Sequence, residues 1–379
     1  MNKMNILIKS ISRISPNYNN GFITQMRNFH VTKAQCLYSQ SALGVDSYLQ
    51  TRKKIKEQFA QFTDNFRSKM NEFVQNPKHM IFTEDLKNMV HMAEPTDLNL
   101  VLQMIKKFNT QKTEFRFGSF VFGPVVMRMF YFLDAPTEAI KCFEDEENAG
   151  FFDQLISYQI LLDLLYNHEM YDEMYKIFEK VQERQLNMTK YPKYPVVLIL
   201  AACYKQNTPD SYAYAKKLWQ DMSSLGTVPL RRSCTFMGGL ALKNGEPQVA
   251  LECIALQTPH YVTIRNIKVT ALAQIGRIDD ALPILKGVLD VDTPNRVDRH
   301  TFFEETIAAV QSAVKDSNNK DIEKEFEQIV KALRDRDLID NQTLDKLVTS
   351  DITLSVKKSP PRGMPRLAFG QRKTTKTLS

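Results

Sequence analysis

Between Phe82 and Asp290 the chain repeats one local pattern: a turn, then usually a small residue, then a bulky one four positions on. The pairs are Ala139/Phe143, Met174/Phe178, Ala215/Trp219, Ala250/Ile254 and Ala281/Leu285, their first members 35, 41, 35 and 31 residues apart. The turns share a phase: Glu94-Pro95-Thr96, Ala135-Pro136-Thr137, Thr208-Pro209-Asp210, Glu246-Pro247-Gln248 and Gly276-Arg277-Ile278-Asp279. Proline at the first position of a helix loses no hydrogen bond, and an acid there complements the positive end of the helix dipole. Residues four apart share a helix face, so the small one admits a neighbouring helix and the bulky one fills the interface. Helix-turn-helix units at this period bury their apolar faces by stacking. The expected fold is therefore all-α, a right-handed α-solenoid of helix-turn-helix repeats. Sustained strand-type alternation is missing.

The best-formed unit runs from Ser157-Tyr158-Gln159-Ile160-Leu161-Leu162-Asp163 through Asp172-Glu173-Met174-Tyr175-Lys176-Ile177-Phe178 to Val181. It resembles the pentatricopeptide repeat, with an aromatic opening the first helix, a double aliphatic after it and an Asp-Glu start to the second. Gly276-Arg277-Ile278-Asp279-Asp280-Ala281-Leu282 resembles the turn between that family's two helices, and Met222, Gly226 and Pro229 match its closing pattern. Departures are visible: Glu169 stands where glycine is usual, and Pro192 and Pro195 interrupt one linker. Four shorter motifs, Phe117-Gly118 with Phe122-Gly123-Pro124, Gly150-Phe151-Phe152, Cys203-Tyr204-Lys205 with Asn207 and Pro209, and Arg231-Arg232-Ser233-Cys234, are similar to a metazoan mitochondrial member of the family. That likeness runs from about Leu86 to about Asp345.

The resemblance implies a mitochondrial RNA-binding protein acting in maturation, processing or stability of a mitochondrially encoded mRNA, in support of the respiratory chain. It also implies one base read per hairpin, by a first-helix side chain and the last residue of the repeat. Placed on this chain, those positions are Gln159 with Thr189, Val197 with Leu230, then Thr235 and Asn266. Val197 and Leu230 cannot hydrogen-bond a base edge, so the familiar code is not legible here.

Charge points to the same stretch. Residues 130–189 hold thirteen acids and four bases, with Glu144-Asp145-Glu146-Glu147 at their centre. Residues 190–277 hold eleven bases, Lys193, Lys205, Arg231, Arg232, Lys243, Arg265 and Lys268 among them, against four acids. Tyr191, Tyr194, Tyr204, Tyr212, Tyr214 and Tyr261 lie between those bases. Single-stranded RNA takes such a mixture, cations for phosphate and ring faces for splayed bases. The alternative is a protein–protein adaptor, an assembly factor of the respiratory chain or mitoribosome. It draws support from the body of the chain, which is net acidic once the two basic ends are set aside.

Both ends lack acids. Residues 1–45 carry Lys3, Lys9, Arg13, Arg27 and Lys33, and residues 352–379 carry seven bases. Met4, Leu7, Ile8, Ile11 and Ile14 fall on one helical face with Lys9 and Arg13 opposite, the pattern of a mitochondrial presequence. Arg27-Asn28-Phe29-His30-Val31-Thr32 resembles a two-step cleavage site, which would leave a mature chain starting near Leu37. The expected organisation is a transit peptide at 1–36, a helical extension at 37–81, the solenoid at 82–290, capping helices at 291–350 and a basic tail at 351–379.

No apolar run approaches the roughly 20 residues needed to span a bilayer. Five scattered cysteines and six scattered histidines offer no metal spacing, and no phosphate-cradling glycine loop or nucleophile motif is present. Consecutive acids at 144–147 point in different directions on a helix, as a solvated face does. Neither catalysis nor a cofactor is expected. The expected partners are single-stranded mitochondrial RNA and other RNA-processing or assembly proteins.

Overall fold

The computed structural model describes residues 37–111, 120–257, 261–290 and 300–352, all within one compact unit. The stretch read as a presequence and most of that read as a basic tail lie outside the described residues. Among the described residues the architecture is helical hairpins stacked side by side. They are α2 (Val45–Phe59)/α3 (Thr63–Gln75), α4 (Thr83–Met92)/α5 (Leu98–Thr110), α6 (Gly123–Leu133)/α7 (Pro136–Glu144) and α8 (Leu155–Asn167)/α9 (Tyr171–Arg184). Then come α10 (Lys193–Gln206)/α11 (Pro209–Ser224), α12 (Arg231–Lys243)/α13 (Pro247–Ile254), α14 (Val262–Ile275)/α15 (Ile278–Leu289) and α16 (Glu304–Asp316)/α17 (Lys320–Asp335). The first helix of each hairpin packs on the first helix of the next, forming an inner layer from α2 to α16.

The two layers differ in composition because they differ in neighbours. An inner helix touches its own partner and an inner helix on either side, so it is apolar all round: Pro195–Tyr204 of α10 and Ser157–Tyr166 of α8 are buried without interruption. An outer helix buries one stripe, as α9 does with Met174, Ile177, Phe178 and Val181. All five small/bulky pairs are buried. At α12/α13 a Cβ added to Gly238 would meet Ile254 Cγ2 at 3.4 Å and the Ala250 carbonyl oxygen at 3.6 Å, so that pair faces the inner helix of its own hairpin.

Local chemistry sets the ends. Pro136, Pro209 and Pro247 open α7, α11 and α13. Thr208 and Ser211 cap α11 reciprocally, Ser211 N–H donating to Thr208 Oγ1 at 3.1 Å and Thr208 N–H to Ser211 Oγ at 2.9 Å. Gly276 closes α14 with φ +83°, where a side chain would be strained.

Three features depart from a plain stack. The stretch read as an extension forms hairpin α2/α3, which packs on α4/α5 layer for layer. The helices read as caps include α16/α17, a further hairpin in phase, joined by a short parallel pair of strands, β1 (Phe302–Phe303) and β2 (Ile339–Asp340). Finally, both ends of the described chain fold back over the inner layer. Residues 37–39 lead into α1 (Gln40–Leu43), which packs on α8, while α18 (Leu344–Val348) packs on α12 and α14. The two segments meet in a parallel bridge, Tyr38 opposite Ile352, with Ile352 N–H donating to the Leu37 carbonyl at 2.7 Å and Ser39 N–H to the Ile352 carbonyl at 3.1 Å. Ile352, read as part of the tail, is thus held against the fold.

Candidate nucleic-acid interface

Because the inner helices run side by side in one direction, their N-terminal ends form one edge of the stack. Outer helices treat that terminus conventionally: α7, α9, α11 and α15 place Glu138, Asp172 with Glu173, Asp210, and Asp279 with Asp280 in their first turns. Inner helices α6, α8, α10, α12 and α14 do the opposite. None has an acid in its first turn, and, as in α7, α9 and α15, no side chain caps the free N–H groups. Their preceding residues are Phe122, Gln154, Pro192, Leu230 and Tyr261, where Ser, Thr, Asp or Asn would be favoured. The row stops on both sides, since α4 carries Glu84 and Asp85 and α16 carries Glu304 and Glu305 in their first turns. Positive dipole ends and free N–H donors make such termini receptive to anions.

Cations and rings stand along that edge. Lys193 and Tyr194 begin α10 and are exposed; Arg231 begins α12 and is exposed; Tyr261 precedes α14 and is exposed. The Arg231 guanidinium lies 3.8 Å from the Tyr261 ring centroid, linking two successive termini, and Tyr194 meets Tyr38 edge-on at 6.2 Å. Lys190 sits 5.5 Å from the Tyr191 ring centroid in the connection to α10. A cation at the first position of a helix opposes the local dipole and so does not stabilise the helix.

The other sequence-marked residues lie elsewhere. Lys268 is exposed on α14 and, like Lys193, has no ion-pair partner among the described residues. Lys205 pairs with Glu169 at 3.4 Å and lies over Tyr166. Lys243 pairs with Asp345 at 2.8 Å and lies over Tyr204 at 3.8 Å. Arg232 donates to the carbonyls of Leu347, Val348 and Ser350, and its burial, then the Arg231 charge, pull its pKa down. Arg265 is buried, with Nη2 2.8 Å from His300 Nδ1 and its guanidinium over Phe302; burial lowers its pKa too. Asn266 is fully buried: its amide donates to the Val262 and Thr301 carbonyls and its oxygen accepts from Phe303 N–H at 2.9 Å. Its side chain clamps β1 and does not face outward. Gln159 is buried and Thr189 half-buried. The structure therefore gathers Lys193, Arg231 and the start of α14 on one edge and directs Arg232, Lys243, Arg265 and Asn266 into internal contacts.

The acidic run is divided among separate partners. Glu144 pairs with Lys180 at 2.8 Å, Glu147 with Lys106 at 2.9 Å, and Asp145 accepts from Glu147 N–H. No cluster of His, Cys, Asp or Glu among the described residues could hold a metal ion. Among them no helix is long and apolar enough to cross a membrane.

No family model matches the chain. It is, however, 28% identical over 254 residues to the mouse protein named pentatricopeptide repeat-containing protein 2, mitochondrial, covering 66% of this chain and 65% of the relative. The human protein of that name is 27% identical over 253 residues, 66% of this chain and 64% of the relative. The zebrafish one is 26% identical over 318 residues, 82% and 80% of the two chains. The likeness supports the pentatricopeptide family. The aligned part of the chain spans just under two thirds of the mouse and human relatives. Nothing in the local sequence pattern marked the uncapped edge, because it emerges only from comparing the first turns of inner and outer helices. The signal was there: Asp or Glu follows most outer-helix starts and none of those five inner ones.

Proposed function

We propose that this protein binds single-stranded RNA in the mitochondrial matrix and contributes to processing or stability of a mitochondrially encoded transcript. The observation that carries the reading is the edge formed by the uncapped, acid-free starts of α10, α12 and α14, with Lys193, Arg231, Tyr194 and Tyr261 upon it. Phosphates meet N–H donors and cations there, and bases meet exposed rings. The buried positions of Gln159 and Asn266 favour contact with the backbone and ring faces over reading of base edges. The names of the relatives, which are mitochondrial pentatricopeptide proteins, support the location and the ligand class.

The test is crosslinking of the full-length protein in intact mitochondria, followed by sequencing of attached RNA, beside a Lys193→Ala/Arg231→Ala variant. Enriched reads on a few transcripts, reduced in the variant, are expected. Background reads in both would overturn the reading. One observation favours the adaptor alternative: Met188, Leu225, Val228 and Leu256 stand exposed on three successive connections from outer to inner helices, Met188 at 99%. Under that reading the same experiment yields no RNA, and a protein captured through Met188 is found instead.

A further inference from the structure

The inner face is not bare. From α16 to α6 it is crossed by the chain's own ends, and their contacts are unusual in kind. Leu344 N–H donates to Glu305 Oε1 at 2.6 Å on α16. The Asp345 carboxylate takes Lys243 Nζ at 2.8 Å on α12, and this hydrogen bond, working against the upward push of burial, holds the Asp345 pKa below its ordinary value. Arg232, one helical stretch away, presents Nη1 to the Leu347 and Val348 carbonyls at 3.2 and 2.7 Å and Nη2 to the Ser350 carbonyl and hydroxyl at 3.1 and 3.2 Å. Ile352 then pairs with Tyr38, whose N–H donates to Asp163 on α8, and Arg128 on α6 donates to the Leu43 carbonyl at 2.8 Å.

A guanidinium forked onto four oxygens at the start of α12 and an ammonium on a carboxylate oxygen at its far end are donors that successive phosphates of one strand engage. The segment that fills it is weakly built for a purely structural part. The helix α18 has five residues, too few to be stable alone, and Val348 is its one fully buried apolar side chain. Most of its hold is polar, and polar contacts are what a polyanion can match.

We infer that residues 343–352 are a built-in pseudo-ligand, whose carboxylate and carbonyl oxygens occupy the phosphate-binding groups Lys243 and Arg232 until RNA displaces them. The inference rests on the RNA reading above and extends it. The termini of the inner helices form the open entry site. The inner face behind them, with Lys243 and Arg232, is a second contact surface whose cations are released from the Asp345 carboxylate and the Leu347, Val348 and Ser350 oxygens when the segment lifts.

The test uses the full chain and a variant in which the segment is unseated, Leu344→Asp/Val348→Asp. Both substitutions add negative charge, so a gain in RNA binding cannot come from the new side chains. Trypsin cleavage at Lys346 reports lifting, and thermal melting followed by circular dichroism reports the fold. Binding of a fluorescent uridine-rich 20-mer is measured across a salt series. Lifting should tighten binding several-fold and steepen the salt slope by about 1.4, at about 0.7 per phosphate for two new contacts. Adding Lys243→Ala/Arg232→Ala to the lifted variant should return the slope to that of the native protein. A lifted segment with unchanged affinity and slope would overturn the inference while leaving RNA binding at the edge intact. A Lys346 that stays resistant to trypsin in a folded variant would overturn it too, since the segment would then be a fixed part of the core. Absence of binding in every form would overturn the RNA reading itself.

Discussion

Tyr38 N–H donates to the carboxylate of Asp163 at 3.1 Å across 125 residues of sequence, joining the first described residues to the interior of α8. Asp163 is fully buried, its other oxygen accepts from Tyr131 O–H at 3.0 Å, and no cation pairs with it among the described residues. Burial pushes its pKa up to about 7; the Tyr131, Tyr38 and Asn167 hydrogen bonds only partly offset this, and Asp351 adds to it. The unfolded carboxyl titrates near 3.9. Between those values the folded protein holds a proton that the unfolded chain has released, so stability falls as pH rises and levels off above about 7.

Asp163→Asn removes that loss while keeping an oxygen for Tyr38. Its melting temperature should match the native protein near pH 4 and exceed it increasingly up to pH 8, by an amount on the order of a few kcal/mol in stability. Parallel melting curves from pH 4 to 8 check this; a difference that does not grow with pH would show that Asp163 is ionised throughout.

Asn266→Ala should destabilise the fold without touching RNA affinity. It leaves the Phe303 N–H and the Thr301 carbonyl without their partner in a buried place, a cost of about 2–3 kcal/mol. Melting temperature should drop by several degrees, and RNA affinity measured well below it should stay within twofold. A marked loss of affinity in the folded variant would restore Asn266 as a base-reading residue.

Gly123→Ala should be costly for a reason the sequence motif only hinted at. A Cβ there would lie 2.5 Å from Gln154 Oε1, 2.7 Å from the Phe151 carbonyl oxygen and 2.9 Å from Ser157 Oγ. Backbone cannot give way as a side chain can, so a loss of about 1–3 kcal/mol or more is expected. Gly287→Ala is the control: nothing lies within 4 Å, and helix propensity favours alanine by up to about 1 kcal/mol. Chemical denaturation of the two should give opposite signs.

Conversion of Glu144, Glu146 and Glu147 to Gln and Asp145 to Asn should leave RNA binding intact or stronger, since repulsion of phosphate is relieved. Glu144–Lys180 and Glu147–Lys106 are surface ion pairs, screened by solvent, so their loss should barely change stability. Loss of binding, or of an RNA-cleaving activity, would show that these carboxylates hold a divalent metal for a nuclease.

What the sequence made legible follows contact range. Pro136, Pro209 and Pro247 mark helix starts because proline acts within its own turn, and the small/bulky pairs mark the packed stripe because both members lie on one helix. Arg232 and Asn266 read as RNA-binding candidates because polar side chains usually stand on the surface. Their partners stand 115 to 118 and 35 to 37 residues away, respectively, beyond any local pattern. Within α14 burial on all sides hides the helical face, so nothing in its periodicity told Asn266 from Lys268. The first hairpin, α2/α3, reads only as an extension because no proline marks its turn, although Asp64 stands in the first turn of α3.

The meeting of Leu37 with Ile352 also bears on how the molecule comes apart. An open stack of repeats frays from its ends, each unit answering only to its neighbours, and its stability is close to a sum over units and interfaces. Here the ends are tied to each other over the middle, so neither terminal hairpin can peel away without also loosening α8 and α12. Such a molecule behaves less like a row of dominoes than like a belt with its buckle fastened. It should melt in one step, and a cut or a tug at either end should be felt at once in the centre.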